Sequence, residues 1–207
     1  VAQGEVAGTE TLYKFGYNSE IQTTEETIWD QGGNITWLSA ATTVHVNSTV
    51  ATDTTTGTGV RKIRVIGLDA NYNDLSEDFD MNGRTQVQGE KEFYRIFRAF
   101  ALESGSDEVT SGSIYVANSS GLNGDFVPTG TILAKFNSDG QTQMAVYTVA
   151  AGKTFYMDRL SFTAGVSQAN RYVTIKFRVR YFGTMLSKVT YMQPNSITRD
   201  LFQRGQI

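Results

Sequence analysis

Few residues in this chain have types and spacings that could do chemistry. His45 is the single histidine, and there is no cysteine. A Ser-His-Asp triad would have to use His45, because no other imidazole can serve as base. It stands in the middle of Thr43-Val44-His45-Val46-Asn47, a strand pattern, and no nucleophile-elbow sequence occurs anywhere. The reading is an ordinary strand histidine, and a histidine-based zinc site lacks partners in the same way. Asp69, Asn71, Asn73 and Asp80 put oxygens at the first, third, fifth and twelfth places of a calcium-loop pattern. The sixth place lacks its Gly, the twelfth is Asp rather than Glu, and both flanks read as strands. A turn rich in Asn and Asp is the better account.

Paired carboxylates occur at Glu25-Glu26, Glu77-Asp78 and Asp107-Glu108. A glycosidase needs two acids across a sugar cleft, and nothing here specifies a cleft. Gly57-Thr58-Gly59 is followed by neither Lys-Ser/Thr nor a helix, so it is not a phosphate loop. The expectation is a protein without catalytic residue, metal or cofactor. Lys176, Arg178 and Arg180 alternate with Ile175, Phe177 and Val179, which makes one strand face basic and the other apolar. That face suits an acidic partner surface; a solvated sheet face with charged edge protection is the plainer account.

Charge is unevenly spread. The chain has 207 residues and a net charge of −3. From Thr148 onward nine Lys and Arg stand against two acids, a net +7, so the preceding part carries −10. A dipolar chain of this kind can associate head to tail or dock on an acidic surface; the two parts can equally neutralise one another within one domain. Nucleic-acid binding would want a wider basic field. No apolar run reaches the roughly 18 residues of a membrane span. The first five residues, Val1 to Glu5, lack the basic start and apolar centre of a signal peptide.

The elements that must position these residues read as strands. The hydrophobic fraction is 40% and the charged fraction 19%, which is a folded composition rather than a disordered one. Thr, Ser, Gly and β-branched or aromatic residues favour strands and turns. Strands are expected at Ile35 to Leu38, Thr42 to Val50 and three or four times within residues 59 to 102. Further strands follow at Ser113 to Ala117, Thr131 to Phe136, Thr142 to Val149, Thr154 to Thr163, Tyr172 to Phe182 and Ser187 to Met192. Asn82-Gly83 is the strongest hairpin signal, since both residues tolerate positive φ. A single helical turn fits Thr24 to Trp29, with Thr23 or Thr24 as its cap.

These signals predict an all-β protein, an antiparallel β-sandwich of jelly-roll form with an extended N-terminal arm. Residues 1–34 would be the arm and 35–192 the sandwich, with a possible domain seam at 118–130; residues 193–207 would be a tail. Tyr13, Phe15, Tyr17 and Trp29 on the arm need something to bury against, and a neighbouring surface would serve. Together with Lys176, Arg178 and Arg180 they are the expected interface residues.

Several segments in combination resemble structural proteins of tailed-bacteriophage virions. They are Phe15-Gly16-Tyr17-Asn18, Ile28-Trp29-Asp30-Gln31-Gly32-Gly33, the run from Gly57 to Asp69, Met81-Asn82-Gly83, Phe93-Tyr94-Arg95-Ile96, and Tyr147 to Thr154. The resemblance spans most of the chain. It implies a non-enzymatic subunit of the virion, assembled in the host cytoplasm. A capsid decoration or cement protein is the first expectation, and a neck, tail-adaptor or fibre component the second. Expected partners are other virion proteins and further copies of the chain, with neither nucleic acid nor membrane. A carbohydrate-binding module used in host recognition is the rival, in which Trp29, Trp37 and the tyrosines would stack on sugar rings.

Overall fold

The structure is a computed structural model that describes residues 8–165, 173–181, 184–192 and 199–206, with side chains in 8–165 and 173–180. The first seven residues of the expected arm, and 193–198 of the expected tail, lie outside the described residues. The chain divides into two compact units, Val1–Lys153 and Thr154–Ile207.

The first unit is all-β. Its strands are β1 (Thr42–Ser48), β2 (Val60–Leu68), β3 (Asp74–Asp80), β4 (Val87–Phe93), β5 (Arg95–Ser104), β6 (Ile114–Ala117) and β7 (Ile132–Phe136). They form two antiparallel sheets, ordered β4-β1-β6-β7 and β3-β2-β5. Strand formation follows from alternation. In β3 Leu75, Glu77 and Phe79 turn inward, while Asp74, Ser76, Asp78 and Asp80 are exposed. In β2 Ile63 and Val65 are buried, while Arg64 and Ile66 between them are only partly so. Burying one face of each sheet against the other is what makes the register specific.

One core joins the sheets. Val44, Val46, Phe93, Ile114, Val116 and Phe136 come from the four-stranded sheet; Val60, Ile63, Val65, Phe79 and Ala99 come from the three-stranded one. Fully burying a side chain such as Phe93 or Ile63 contributes about 1.5–3 kcal/mol. This is a β-sandwich with its apolar faces inward.

Only β2–β3 and β6–β7 are consecutive strands that pair; at every other connection the chain changes sheets. β1 lies in one sheet, β2 and β3 in the other, β4 in the first, β5 in the second, and β6 and β7 in the first again. Asn82-Gly83 therefore does not close a two-residue hairpin, as its sequence suggests. Gly83 does adopt the left-handed conformation, at φ 58°, but the turn is a corner that carries the chain from β3 to β4. The corner is held from outside: Gly83 N donates to Asp53 O at 2.6 Å, and Ser48 N donates to Gly83 O at 2.8 Å.

The edges at β5, β3 and β4 are covered. Along β5, Ala101 N donates to Gly140 O and Thr142 N to Ala99 O, each at 2.8 Å. Between the facing edges of β3 and β4, the Glu77 carboxylate accepts from Glu90 N at 2.6 Å and lies 3.3 Å from Lys91 N. A side chain here does what a partner strand would do, and blunts an edge open to foreign pairing.

Three other expectations change. Residues 35–38 and 142–149 are not strands; the latter contributes only a bridge between Met144 and Trp29. No helical turn forms at 24–29, because its backbone is engaged elsewhere: Thr27 N bonds Gly33 O at 3.0 Å, and Ala145 N bonds Ile28 O at 2.8 Å. The stretch 118–130 is a folded connection within the first unit, between the paired strands β6 and β7, pinned by Asn47 Nδ2 donating to Phe126 O at 2.8 Å. The division falls after Lys153 instead.

The second unit contains β8 (Tyr156–Phe162), β9 (Val173–Tyr181), β10 (Thr184–Met192) and β11 (Arg199–Gln206). β9 pairs antiparallel with β10, and β8 with β11. Part of the expected tail is thus a strand.

Candidate functional site

The most distinctive surface of the first unit is built by residues 12–21. Tyr13 is 77% exposed, Tyr17 56% and Phe15 48%; Leu12 and Ile21 are exposed too. The residues between them point the other way and tie the segment to its own unit. Lys14 Nζ donates to the carbonyl of Phe97 and lies over the Phe97 ring. Gly16 passes so close to the neighbouring backbone that a Cβ would sit 2.4 Å from Ala145 N and 2.6 Å from Ile28 O. Asn18 Nδ2 donates to Glu26 Oε2 at 3.0 Å. Between these anchors, Tyr17 N donates to Gln143 O at 3.2 Å.

This inverts the usual order of an extended segment on a sheet. Side chains alternate sides, and burial normally takes the aromatic side. Here glycine and lysine face inward and three aromatics face water. The close approach at Gly16 leaves no room for anything else. A contiguous exposed apolar strip on a folded surface marks an interaction site more often than chance.

Lys14 is half-buried, and burial pushes its ammonium down to about 8, with Arg98 adding to the shift. Asp30, where the segment returns to the unit, accepts from Gln143 N at 2.7 Å. Burial pushes its carboxyl up to about 6, against that hydrogen bond.

The other expected interface residues fall differently. Trp29 is 3% exposed and belongs to the core. Its Nε1 donates to the carbonyls of Gly32 and Gly33 at 2.8 and 3.1 Å, so it is closed to any partner or sugar. Its placement follows from size: a large ring that finds both an apolar pocket and a partner for its N–H stays inside. Trp37 is 44% exposed, but the Arg95 guanidinium lies over its ring at 5.3 Å and over Tyr94 at 3.8 Å. Arg95 Nη1 also donates to Leu38 O at 3.0 Å, so the cluster serves as a staple. On β9, Lys176, Arg178 and Arg180 are exposed, Ile175 is buried, and Phe177 and Val179 are half-buried. The basic and apolar faces are separated as the alternation requires.

The sequence-level chemical candidates are engaged structurally. Asp69 accepts from the side chain of Asn73 at 3.0 Å and from the backbone of Asn73 and Asn71 at 2.9 and 2.8 Å. These bonds, the Asn73 side chain first, hold its carboxyl below the ordinary range. Asp80 pairs with Lys62 at 3.3 Å, and Asp74 with Lys153 at 2.5 Å. His45 lies in β1 between Gln88 and Ala117, and its buried Nδ1 has no hydrogen-bond partner. Among the described residues no carboxylate bonds that Nδ1 as a triad would require.

Two residues were invisible as such in the sequence. Lys14 is an anchor, and its only signal was the alternation Tyr-Lys-Phe-Gly-Tyr. Asp53, in a Thr/Gly loop, is fully buried. Its Oδ2 accepts from Ser48 Oγ and Thr110 Oγ1, each at 2.6 Å, and its Oδ1 from Val60 N at 2.8 Å. Ser48 and Val60 lie within seven residues of it, but no local pattern announced Thr110, 57 residues away.

No protein-family model, curated protein or solved structure matches this chain. Its own geometry carries the functional reading.

Proposed function

We propose that this chain is a non-enzymatic structural subunit of a tailed-bacteriophage virion, a capsid-associated decoration or stabilising protein. The observation that carries the assembly reading is the outward aromatic strip Tyr13-Phe15-Tyr17, locked in place by inward Lys14 and Gly16. A protein that spends its small and polar residues inward to present aromatics outward has a surface made for burial against a partner. The exposed Lys176, Arg178 and Arg180 of β9 supply a second, charged surface. The virion itself enters through the sequence resemblance. The alternation of the chain between sheets supports a jelly-roll form.

The test is particle association. Phage particles encoding the chain are purified on a density gradient and labelled with antibody to it, then viewed by electron microscopy. Label over the head surface is expected. Label confined to neck or tail would move the subunit there, and unlabelled particles would end the virion reading. A chain carrying Tyr13→Ser, Phe15→Ser and Tyr17→Ser should remain folded and be lost from particles.

A further inference from the structure

We propose that the occupant of the aromatic strip is the basic face of β9 on a second copy of this chain, in a head-to-tail contact. This deepens the assembly reading and rests on it.

The first argument is charge. Residues 8–34 contain Glu10, Glu20, Glu25, Glu26 and Asp30 against the single cation Lys14, and Lys14 points inward to the Phe97 carbonyl. The segment that bears the strip is therefore acidic in its own residues, with Arg98 of β5 as the cation beside Lys14. β9 contains Lys176, Arg178 and Arg180 with no acid between Val173 and Tyr181, and all three are exposed. The two surfaces are opposite in sign, which steers encounter and fixes register.

The second argument is spacing. Tyr13, Phe15 and Tyr17 stand at every second residue of an extended segment. Lys176, Arg178 and Arg180 stand at every second residue of a strand. Both ladders therefore repeat at about 6.6 Å. Laid side by side, each cation meets an aromatic ring, and arginine and lysine over Tyr or Phe are attractive pairs. A plain apolar partner would satisfy the rings and leave the acids uncompensated. A plain basic partner would do the reverse. β9 answers both.

The geometry of such a contact is heterologous: the strip of one copy meets a different surface of the next. Repeated, it makes a ring where the rotation closes and a chain where it does not. That property supplies a decisive experiment. One variant carries Tyr13→Ser, Phe15→Ser and Tyr17→Ser and keeps its β9. The other carries Lys176→Glu, Arg178→Glu and Arg180→Glu and keeps its strip. Light scattering on the full chain should show an oligomer that weakens with salt, and each variant alone should be monomeric. Mixed, they should form a one-to-one dimer and nothing larger, because only one intact strip and one intact β9 face remain.

A wild-type monomer, or variants that oligomerise as the wild type does, would overturn the proposal. So would a mixture that stays monomeric while each variant keeps its circular dichroism spectrum. Should the triple reversal unfold β9, Arg180→Glu alone replaces it and should weaken association about tenfold; an unchanged association constant would then overturn the proposal. Failure of the virion reading looks different. Dimer rescue in the mixed variants, alongside particles that carry no label, would leave this contact standing without the virion. Labelled particles built from a monomeric chain would leave the virion standing without this contact.

Discussion

Asp53 is the residue on which one end of the sandwich depends. Its carboxylate collects donors from the end of β1, the start of β2 and the β5–β6 connection. All three bonds are short, at 2.6, 2.6 and 2.8 Å. Asp53→Ala would orphan Ser48 Oγ, Thr110 Oγ1 and Val60 N together. At about 1–3 kcal/mol for each orphan, less what relaxation recovers, the expected loss is about 3–5 kcal/mol in a urea melt. A loss within 1 kcal/mol would show that these groups find other partners. Lys14 and Asp30 make a second prediction, in pH. The folded-state pKa of Lys14 is about 8, below the ordinary 10.5. Between these values the unfolded chain binds more protons, so stability rises with pH across that window. Asp30 is raised to about 6 from 3.8. There the folded chain binds more protons, and stability falls as pH rises from about 4 to 6. Melts of the wild type and of Lys14→Met across pH 8 to 10.5 check the first: only the wild type should gain, on the order of 1 kcal/mol after solvent screening.

At the scale of elements, the segment 13–18 and the strip that it bears stand or fall with Gly16. Ala145 N and Ile28 O both belong to backbone and cannot step aside cheaply. Gly16→Ala should therefore lift the segment and raise proteolytic cleavage between Leu12 and Glu20, with little effect on the melting of the sandwich. Trp29 is the opposite case. It sits in the core itself, and Trp29→Ala should cost about 3–5 kcal/mol. A sandwich that tolerated Trp29→Ala but not Gly16→Ala would reverse the roles assigned to them. On the outer face of β2 and β3, Arg64 grips Asp78 at 2.6 and 2.8 Å. The pair is exposed, and pairs of that kind are worth roughly 0–1 kcal/mol. The outer face is thus stabilised mainly from behind, by the apolar residues of the core.

At the scale of the molecule, the first unit has its own core. A chain ending at Lys153 should fold cooperatively by itself, with a single denaturant transition and a dispersed amide spectrum; a molten spectrum would show that the division is not a folding boundary. Charge follows the same boundary. Residues 1–153 contain ten Lys and Arg against nineteen acids, net −9, and residues 154–207 eight against two, net +6. The association of full chains should accordingly weaken with salt, as screening between exposed charges requires.

What the sequence by itself determined is local. Alternation in Leu75, Glu77 and Phe79 settled which face of β3 turns inward, because side chains on a strand have a period of two wherever the strand lies. The same rule separated Lys176, Arg178 and Arg180 from Ile175, Phe177 and Val179. Asn82-Gly83 announced a turn, because Gly83 tolerates the positive φ that it adopts there. What only the tertiary structure decided is every choice between two partners. Whether Asn82-Gly83 closes a hairpin or turns a corner between sheets depends on Asp53 and Ser48, which bond it from outside. Whether Trp29 serves a partner or its own core depends on a pocket built from both sheets. That Tyr13, Phe15 and Tyr17 face outward depends on Gly16 meeting a backbone more than a hundred residues away. Such outcomes rest on contacts distant in sequence, and no local pattern records them.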